Sequence, residues 1–187
     1  MHRIKKYLIF FIFFFWTQNL WGEDLAPIIK DFSISDRDGT LVASIMLKNG
    51  ITSEVEKALN SGIPIRFSYI FELIRPGFLR NHKIKAVKEV RSMTYDHLKR
   101  EYRVLIGPGT RKMISVKDMD QAKEFAFNVK DVEIVDFNTI PQGCVYILRV
   151  KCVIDKEQEA ELPFKRLIGL FWNKSIETKW YEIRFRY

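Results

Sequence analysis

The sequence is poor in the residues that most often carry catalysis or bind metal. Its 187 residues include two cysteines and three histidines. His2 belongs to the N-terminal segment, which leaves His82 and His97, neither with a cysteine or carboxylate partner at metal-ligand spacing. The sequence therefore predicts no metal site and indicates no cofactor, and both histidines are interpreted as surface residues.

Catalytic motifs are also missing. There is no Gly-x-Ser-x-Gly element, and Gly107-Pro108-Gly109 lacks the Lys-Ser/Thr of a phosphate-binding loop. Tyr95-Asp96-His97 places a carboxylate beside an imidazole, but adjacent side chains diverge on a strand or a helix, so a turn before the next strand is expected. Nothing in the sequence brings Glu72 and Glu89 into one pocket. We expect a protein that is not an enzyme.

One long apolar run occurs, at the N-terminus. Three basic residues precede ten apolar residues at 7–16, and polar residues follow at 17–19. This order is typical of a secretory signal, and the run is short of the roughly 20 residues that span a bilayer. Cleavage after Gly22 is expected. Because Leu20 is larger than the residue usual at that position, a short, uncleaved inner-membrane anchor remains the alternative.

Export limits the classes of partner. We expect residues 1–22 to be a signal peptide and residues 23–187 to form a single β-rich domain, located in the periplasm or otherwise exported. Loss of the signal removes three basic residues, so the net charge falls from +8 to +5, with 28 basic residues against 23 acidic ones. An exported protein is not expected to bind nucleic acid. The remaining charge mildly favours anionic partners.

The two cysteines, Cys144 and Cys152, are predicted to be unpaired. The residues between them have the pattern of one continuous strand, which would separate the two sulfur atoms by more than about 20 Å. A disulfide requires Cα atoms within about 7 Å. Both thiols are interpreted as buried small hydrophobic groups on the apolar face of that strand.

Period-two alternation dominates the chain and predicts β-strands. The longest alternating run covers residues 63–73. A helix is predicted after Ser53, which has the spacing of a capping box with Glu56, and a second one over about 116–129 with Ser115 as its cap. A third turn or short helix is predicted from Pro163. Further strands are predicted over 28–35, 41–47, 84–93, 102–106, 113–116, 132–137, 145–154 and 180–187.

These elements predict a mainly β fold. We expect an antiparallel β-sandwich-like domain with two short α-helices, preceded by an N-terminal signal or hydrophobic helix. An aromatic cluster near the C-terminus is expected to fill the core, with a ligand groove as the alternative. Its members are Phe171, Trp172, Trp180, Tyr181, Phe185 and Tyr187.

A basic stretch is the main candidate for a binding site. If residues 83–112 form paired strands, several of its charges would line one exposed face and attract an anionic partner. The competing interpretation is a charged sheet edge that resists aggregation. The candidate binding residues are Lys83, Lys85, Lys88, Arg91 and Arg103.

Several segments resemble an uncharacterised bacterial family, domain of unknown function 4390. The most specific is Ala58-Leu-Asn-Ser-Gly-Ile-Pro64 within residues 47–69, and the others are 72–75, 93–96, 99–102, 146–150 and 178–181. The resemblance covers nearly all of the chain after the signal. It implies an exported protein of proteobacterial type, without established activity or catalytic residues, whose genes are often near that of a membrane sensor kinase.

The resulting hypothesis is an exported, non-catalytic envelope protein that binds another envelope component. An envelope or membrane protein is the expected partner, with anionic lipid as a further candidate and the sensor kinase as a contextual one. The alternative function is a periplasmic carrier or sensor of an anionic or amphiphilic small molecule. A lined cavity of a few hundred Å³ would favour the carrier.

Overall fold

The computed structural model describes residues 25–107, 112–156 and 175–187. The expected signal segment, the predicted turn or helix at Pro163, and the aromatic residues at 171 and 172 lie outside these ranges. Within them, no helix combines the length and apolar character required to cross a membrane.

The described chain is mostly β-structure in two antiparallel sheets. Two α-helices, α1 (Ser53–Asn60) and α2 (Met119–Phe127), and a 3-10 turn at Phe137–Thr139 accompany them. The strands are β1 (Ile28–Arg37), β2 (Thr40–Lys48), β3 (Ile65–Arg75), β4 (His82–Asp96), β5 (Glu101–Ile106), β6 (Lys112–Val116), β7 (Asn128–Asp136), β8 (Val145–Lys156), β9 (Ile176–Glu177) and β10 (Tyr181–Arg186).

The two sheets share one core. The small sheet has the order β1-β2-β7, and the large sheet has the order β10-β8-β3-β4-β5-β6, with β9 paired to β8. Leu41 and Ile45 of the small sheet and Phe67, Tyr69 and Phe71 of the large sheet are fully buried in the same hydrophobic cluster. The predicted mainly β, antiparallel fold with two helices is therefore confirmed.

Strand β3 organises the large sheet. Its odd-numbered residues from Ile65 to Leu73 have no solvent exposure, as the alternation predicted. The strand pairs with β4 on one side and with β8 on the other, so its backbone groups are satisfied on both edges. This central position fixes the face on which each β3-paired side chain of β4 and β8 lies.

Both helix caps differ from the predicted residues. Thr52 caps α1, because its Oγ1 accepts a hydrogen bond from the backbone N–H of Val55 at 3.4 Å. Ser53 is already the first residue of the helix. Asp118 caps α2 by accepting from two backbone N–H groups, whereas Ser115 lies in β6. Helix α2 is also shorter than predicted, because pairing with β2 draws the chain into β7 at Asn128.

The prediction of buried cysteines is confirmed for Cys152, but Cys144 is only partly buried. Cys152 is buried within β8, and Cys144 directly precedes that strand and is partly exposed. Both are unbridged thiols at opposite ends of one extended segment. Burial, and to a smaller extent the charge of Asp155, raises the pKa of the Cys152 thiol far above its usual range.

Candidate functional site: the outer face of the large sheet

The large sheet has a second face, directed away from the core. Strand alternation places Glu72 of β3 on this outer face, between the core residues Phe71 and Leu73. Register places Arg149 of β8 directly opposite Glu72, and Glu182 of β10 opposite Arg149. Polar side chains from adjacent strands are thereby aligned in one row across the sheet.

The Glu72 carboxylate accepts hydrogen bonds from two basic residues on neighbouring strands. Arg149 donates to Glu72 Oε2 from Nε at 2.9 Å and from Nη2 at 2.7 Å, and Lys83 donates to Oε1. Glu72 is only 8% exposed. Burial alone would raise the pKa of its carboxyl, but the hydrogen bonds and charges of Lys83 and Arg149 outweigh that effect and hold the pKa below its usual value. Glu72 is therefore a fixed anion that orients two cations.

Trp180 completes this cluster. The Arg149 guanidinium carbon lies 4.4 Å from the centre of the Trp180 ring system, and Lys151 Nζ lies 5.4 Å from it. Lys151 also pairs with Glu177 Oε2 at 2.7 Å. These distances are those of cation–π contacts. We call Glu72, Arg149 and Trp180, with the flanking Lys83 and Lys151, the Trp180 cluster.

The backbone before β10 is fixed beside the cluster. Cys152 N donates to Thr178 Oγ1 at 3.0 Å, and Thr178 N donates to the carbonyl oxygen of Cys152 at 3.0 Å. Thr178 is buried, whereas Trp180 is half-buried. The indole is thus held against Arg149 with part of its surface open to solvent.

Sequence reasoning did not find the Trp180 cluster. The aromatic cluster near the C-terminus is only partly in the core. Tyr181, Phe185 and Tyr187 pack against the core as expected. Trp180 instead lies on the outer face with Arg149 and Lys151. The register between β3 and β8 brings Glu72 and Arg149 together across 77 positions of sequence. Local periodicity carries no information about a pairing at that separation.

The five predicted binding residues lie on different faces of the large sheet. Lys83 bonds Glu72 on the outer face, where register also places Lys88 and Arg103. Lys85 pairs opposite Leu73 and Arg91 opposite Phe67, which places both on the core side. Lys85 is exposed, whereas Arg91 is 8% exposed. The five residues therefore do not form one continuous surface.

The other candidates for chemistry are also separated. Glu89 pairs opposite Tyr69 and so lies on the face opposite Glu72. The Asp96 carboxylate accepts from the backbone N of Leu98 and Lys99 at 3.0 and 3.1 Å, which confirms the turn predicted around His97. Among the described residues no group of three or more His, Cys, Asp or Glu side chains is arranged to hold a metal ion.

A surface cleft lies away from the Trp180 cluster. It has a volume of about 380 Å³ and runs between the end of β2 and helix α2. Its wall includes Lys48, Asn49, Lys123, Glu124 and Phe127, so its polar lining carries charges of both signs. The cleft lies at the surface beside the sheets, outside the core that they enclose.

Comparison with known proteins gives a family without an assigned activity. No curated protein and no solved structure matches the chain. A family model described as a domain of unknown function, DUF4390, matches residues 26–184, which includes both sheets, both helices and the Trp180 cluster. The resemblance carried by the sequence motifs is thus confirmed, and the chain belongs to the DUF4390 family of domains of unknown function.

Proposed function

We propose that this chain is an exported, non-catalytic binding module that recognises another protein of the cell envelope through the outer face of the large sheet. The observation that carries the proposal is the Trp180 cluster. It combines a half-buried indole, a stacked guanidinium and a buried carboxylate that fixes the guanidinium.

Trp and Arg are the residue types most enriched at the energetic centres of protein interfaces. A flexible side chain loses conformational entropy when it binds, and a side chain that is already fixed loses less. Arg149 is held by two hydrogen bonds to Glu72 and by the Trp180 ring before any partner arrives. Its side chain is still 30% exposed, so part of the guanidinium remains available to a partner.

A site-specific photocrosslinker tests the proposal in cells. Glu182 is exposed on the outer face opposite Arg149, and Lys130 is exposed on the small sheet. We expect a defined protein adduct from a crosslinker at 182 and none from one at 130. Trp180→Ala should abolish the 182 adduct, while Arg37→Ala, which removes an exposed ion pair with Asp131, should leave it intact. Equal adducts from both positions, or an adduct that survives Trp180→Ala, would refute this surface.

The surface cleft supports a second candidate, the carrier of an anionic or amphiphilic small molecule. Its volume is within the range of ligand sites, and Lys48 supplies a cation. Acidic residues in the same wall, Asp120 and Glu124, weaken its match to an anion. Native mass spectrometry of protein isolated from its own cells would support a carrier if a small molecule stayed bound and was lost in Lys48→Glu.

Export has its own test, independent of the partner. The intact mass of the protein recovered from cells distinguishes a chain that begins at residue 23 from a full-length one. A chain that begins at residue 23 and is found outside the cytoplasm supports the cleaved signal, and a full-length chain in the membrane fraction supports the anchor. A full-length chain in the cytoplasm would contradict export.

A further inference from the structure

The loop between β3 and β4 exposes two large apolar side chains side by side. β3 ends at Arg75 and β4 begins at His82, and we call residues 76–81 the hairpin tip. Phe78 and Leu79 at its apex are 104% and 91% exposed, so both are essentially as accessible as in an extended peptide. Single exposed apolar residues are common, but an adjacent Phe-Leu pair with almost complete exposure indicates a contact site.

The charge around the tip has one sign. From position 73 to position 88 the sequence has no acidic residue, whereas five basic residues occur there: Arg75, Arg80, Lys83, Lys85 and Lys88. Lys83 is engaged by Glu72 at the base of the hairpin. Arg75 and Arg80 flank the apolar pair in the sequence, and Lys85 and Lys88 follow it along β4. An excess of positive charge is expected for a surface that meets an anionic one.

The tip is held in a defined shape. A Cβ atom at Gly77 would overlap the carbonyl oxygen of Arg80, so the tight loop tolerates no side chain there without a backbone shift. Arg75 and His82 pair directly across the base. The ion pair between Lys83 and Glu72 adds a link from β4 to the centre of the large sheet. The exposed pair therefore projects from a hairpin whose base is paired and linked to the centre of the large sheet.

From this geometry we propose that the hairpin tip docks the protein on a lipid bilayer that contains anionic lipid, with Phe78 and Leu79 inserted among the acyl chains. Arg75 and Arg80, the basic residues next to the pair in the sequence, then lie at the level of the lipid head groups. Insertion of apolar side chains and attraction between basic residues and anionic head groups are the two contributions that bind peripheral proteins to membranes. This interaction is separate from protein recognition by the Trp180 cluster.

Leu98 provides an internal comparison. It is 97% exposed in the turn at the other end of β4, about 45 Å from the tip for a strand of this length. Asp96 and Glu101 lie within three residues of it, so its surroundings carry both signs of charge. Exposure of a leucine is therefore common to both ends of the hairpin, whereas the uniform positive charge is confined to the tip.

Fluorescence at the tip tests the proposal in the full chain. An environment-sensitive dye is attached at Leu79→Cys or, as the matched control, at Leu98→Cys, both with Cys144→Ser. Vesicles of phosphatidylcholine with phosphatidylglycerol should raise the emission of the dye at 79 severalfold and shift it to shorter wavelength. The dye at 98 should not respond. The hydrophobic N-terminal segment, if present, affects both proteins equally, so only the position of the dye separates them.

Two further variants of the dye-labelled Leu79→Cys protein separate the two contributions. Phe78→Ser should raise the lipid concentration at half-maximal response roughly tenfold, because the variant no longer inserts the phenylalanine ring among the acyl chains. Arg75→Gln with Arg80→Gln, at the basic positions nearest the apolar pair, should raise it by about fivefold for each charge and weaken its dependence on salt. Circular dichroism of each variant confirms that the fold is intact.

Three outcomes would overturn the lipid proposal: no response at 79, an equal response at 98, or a response to pure phosphatidylcholine as strong as that to the anionic mixture. Loss of the protein adduct at 182 in Phe78→Ser, without any response to vesicles, would assign the tip to a protein partner instead. The proposal for the Trp180 cluster is unaffected by the vesicle results, so the failure of one leaves the other standing.

Discussion

Arg91 of β4 donates from Nη1 to the carbonyl oxygen of Asn128 at 3.0 Å, and the same nitrogen also donates to the carbonyl oxygen of Phe125. These two carbonyls belong to the C-terminal end of α2, where the helix leaves its last carbonyl groups without helical partners and carries a partial negative charge. A buried guanidinium on the large sheet thus caps a helix that packs against it. Arg91 has a structural role that explains its charge without a ligand.

Replacement of Arg91 by Met should lower the free energy of unfolding by about 2–4 kcal/mol, because two part-buried carbonyl groups lose a charged donor that is itself buried. Urea unfolding followed by circular dichroism measures the change. Lys88→Met is the matched control, since Lys88 lies on the same strand but is exposed on the outer face. That control should change the free energy by less than about 0.5 kcal/mol. Equal effects of the two substitutions would contradict the capping role.

The contrast between Arg91 and Lys88 shows where sequence reasoning succeeded and where it failed. The pattern in β3 predicts its buried face, because the odd-numbered residues from Ile65 to Leu73 are all apolar and three of the four between them are polar. In β8 the even-numbered residues from 146 to 154 are all apolar, and that face is the buried one. In β4 basic residues occur on both faces, and a bulge opposite Leu73 and Ile74 changes the alternation near the tip. Charge alone therefore could not assign its residues to a face.

The residue that caps a helix also could not be identified from the sequence alone. Ser115 and Asp118 are both residue types that cap helices, and their order along the chain favours neither. Continuation of β6 to Val116 places Ser115 in a strand, which leaves the capping position to Asp118. The choice depends on pairing between β5 and β6, a tertiary interaction that a local pattern does not contain.

Removal of each candidate cap gives a direct test. Asp118→Ala should reduce the free energy of unfolding by about 1 kcal/mol, because Asp118 Oδ1 accepts from the backbone N of Asp120 and Gln121 at 2.9 and 3.0 Å. Ser115→Ala, at an exposed position of the edge strand, should change it by no more than a few tenths of a kcal/mol. Denaturant unfolding of both variants measures the difference. A larger loss in Ser115→Ala would restore the sequence-based assignment.

The Glu72 carboxyl should make stability depend on pH. Its pKa is held below the usual value in the folded protein, so the unfolded chain takes up a proton at higher pH than the folded one. The stabilisation by ionised Glu72 is therefore fully present above the unfolded-state pKa of about 4.3 and is lost as the pH falls through the lower folded-state pKa.

Glu72→Gln isolates this contribution. At neutral pH the variant should be less stable than the wild type, because Lys83 and Arg149 lose their shared anion. The difference between the two proteins should shrink as the pH falls below about 4.3. Urea unfolding at a series of pH values measures it, and Glu182→Gln on the same face serves as the control for an exposed carboxyl. A difference that is constant with pH would show that Glu72 is not held ionised by its partners.

The thiols offer a probe of the core that needs no spectroscopic label. Cys152 is fully buried in β8, and its backbone N–H donates a hydrogen bond to Thr178 Oγ1. Because burial raises the pKa of its thiol, little of the reactive thiolate forms in the folded protein. We expect a chromogenic disulfide reagent to modify Cys144 rapidly and Cys152 only as fast as the domain opens. Cys152→Ser should retain the fast reaction, and Cys144→Ser should lose it.

Opening of the core can be distinguished from a slow but direct reaction. If reaction at Cys152 requires opening, its rate in the Cys144→Ser protein should rise with urea well below the unfolding midpoint. The rate should rise further in Arg91→Met, and the logarithm of the rate should increase in proportion to the stability lost. Lys88→Met should leave that rate unchanged. A rate at Cys152 that is insensitive to both urea and Arg91→Met would mean that reagent reaches β8 from the folded state, because only then is opening not part of the reaction.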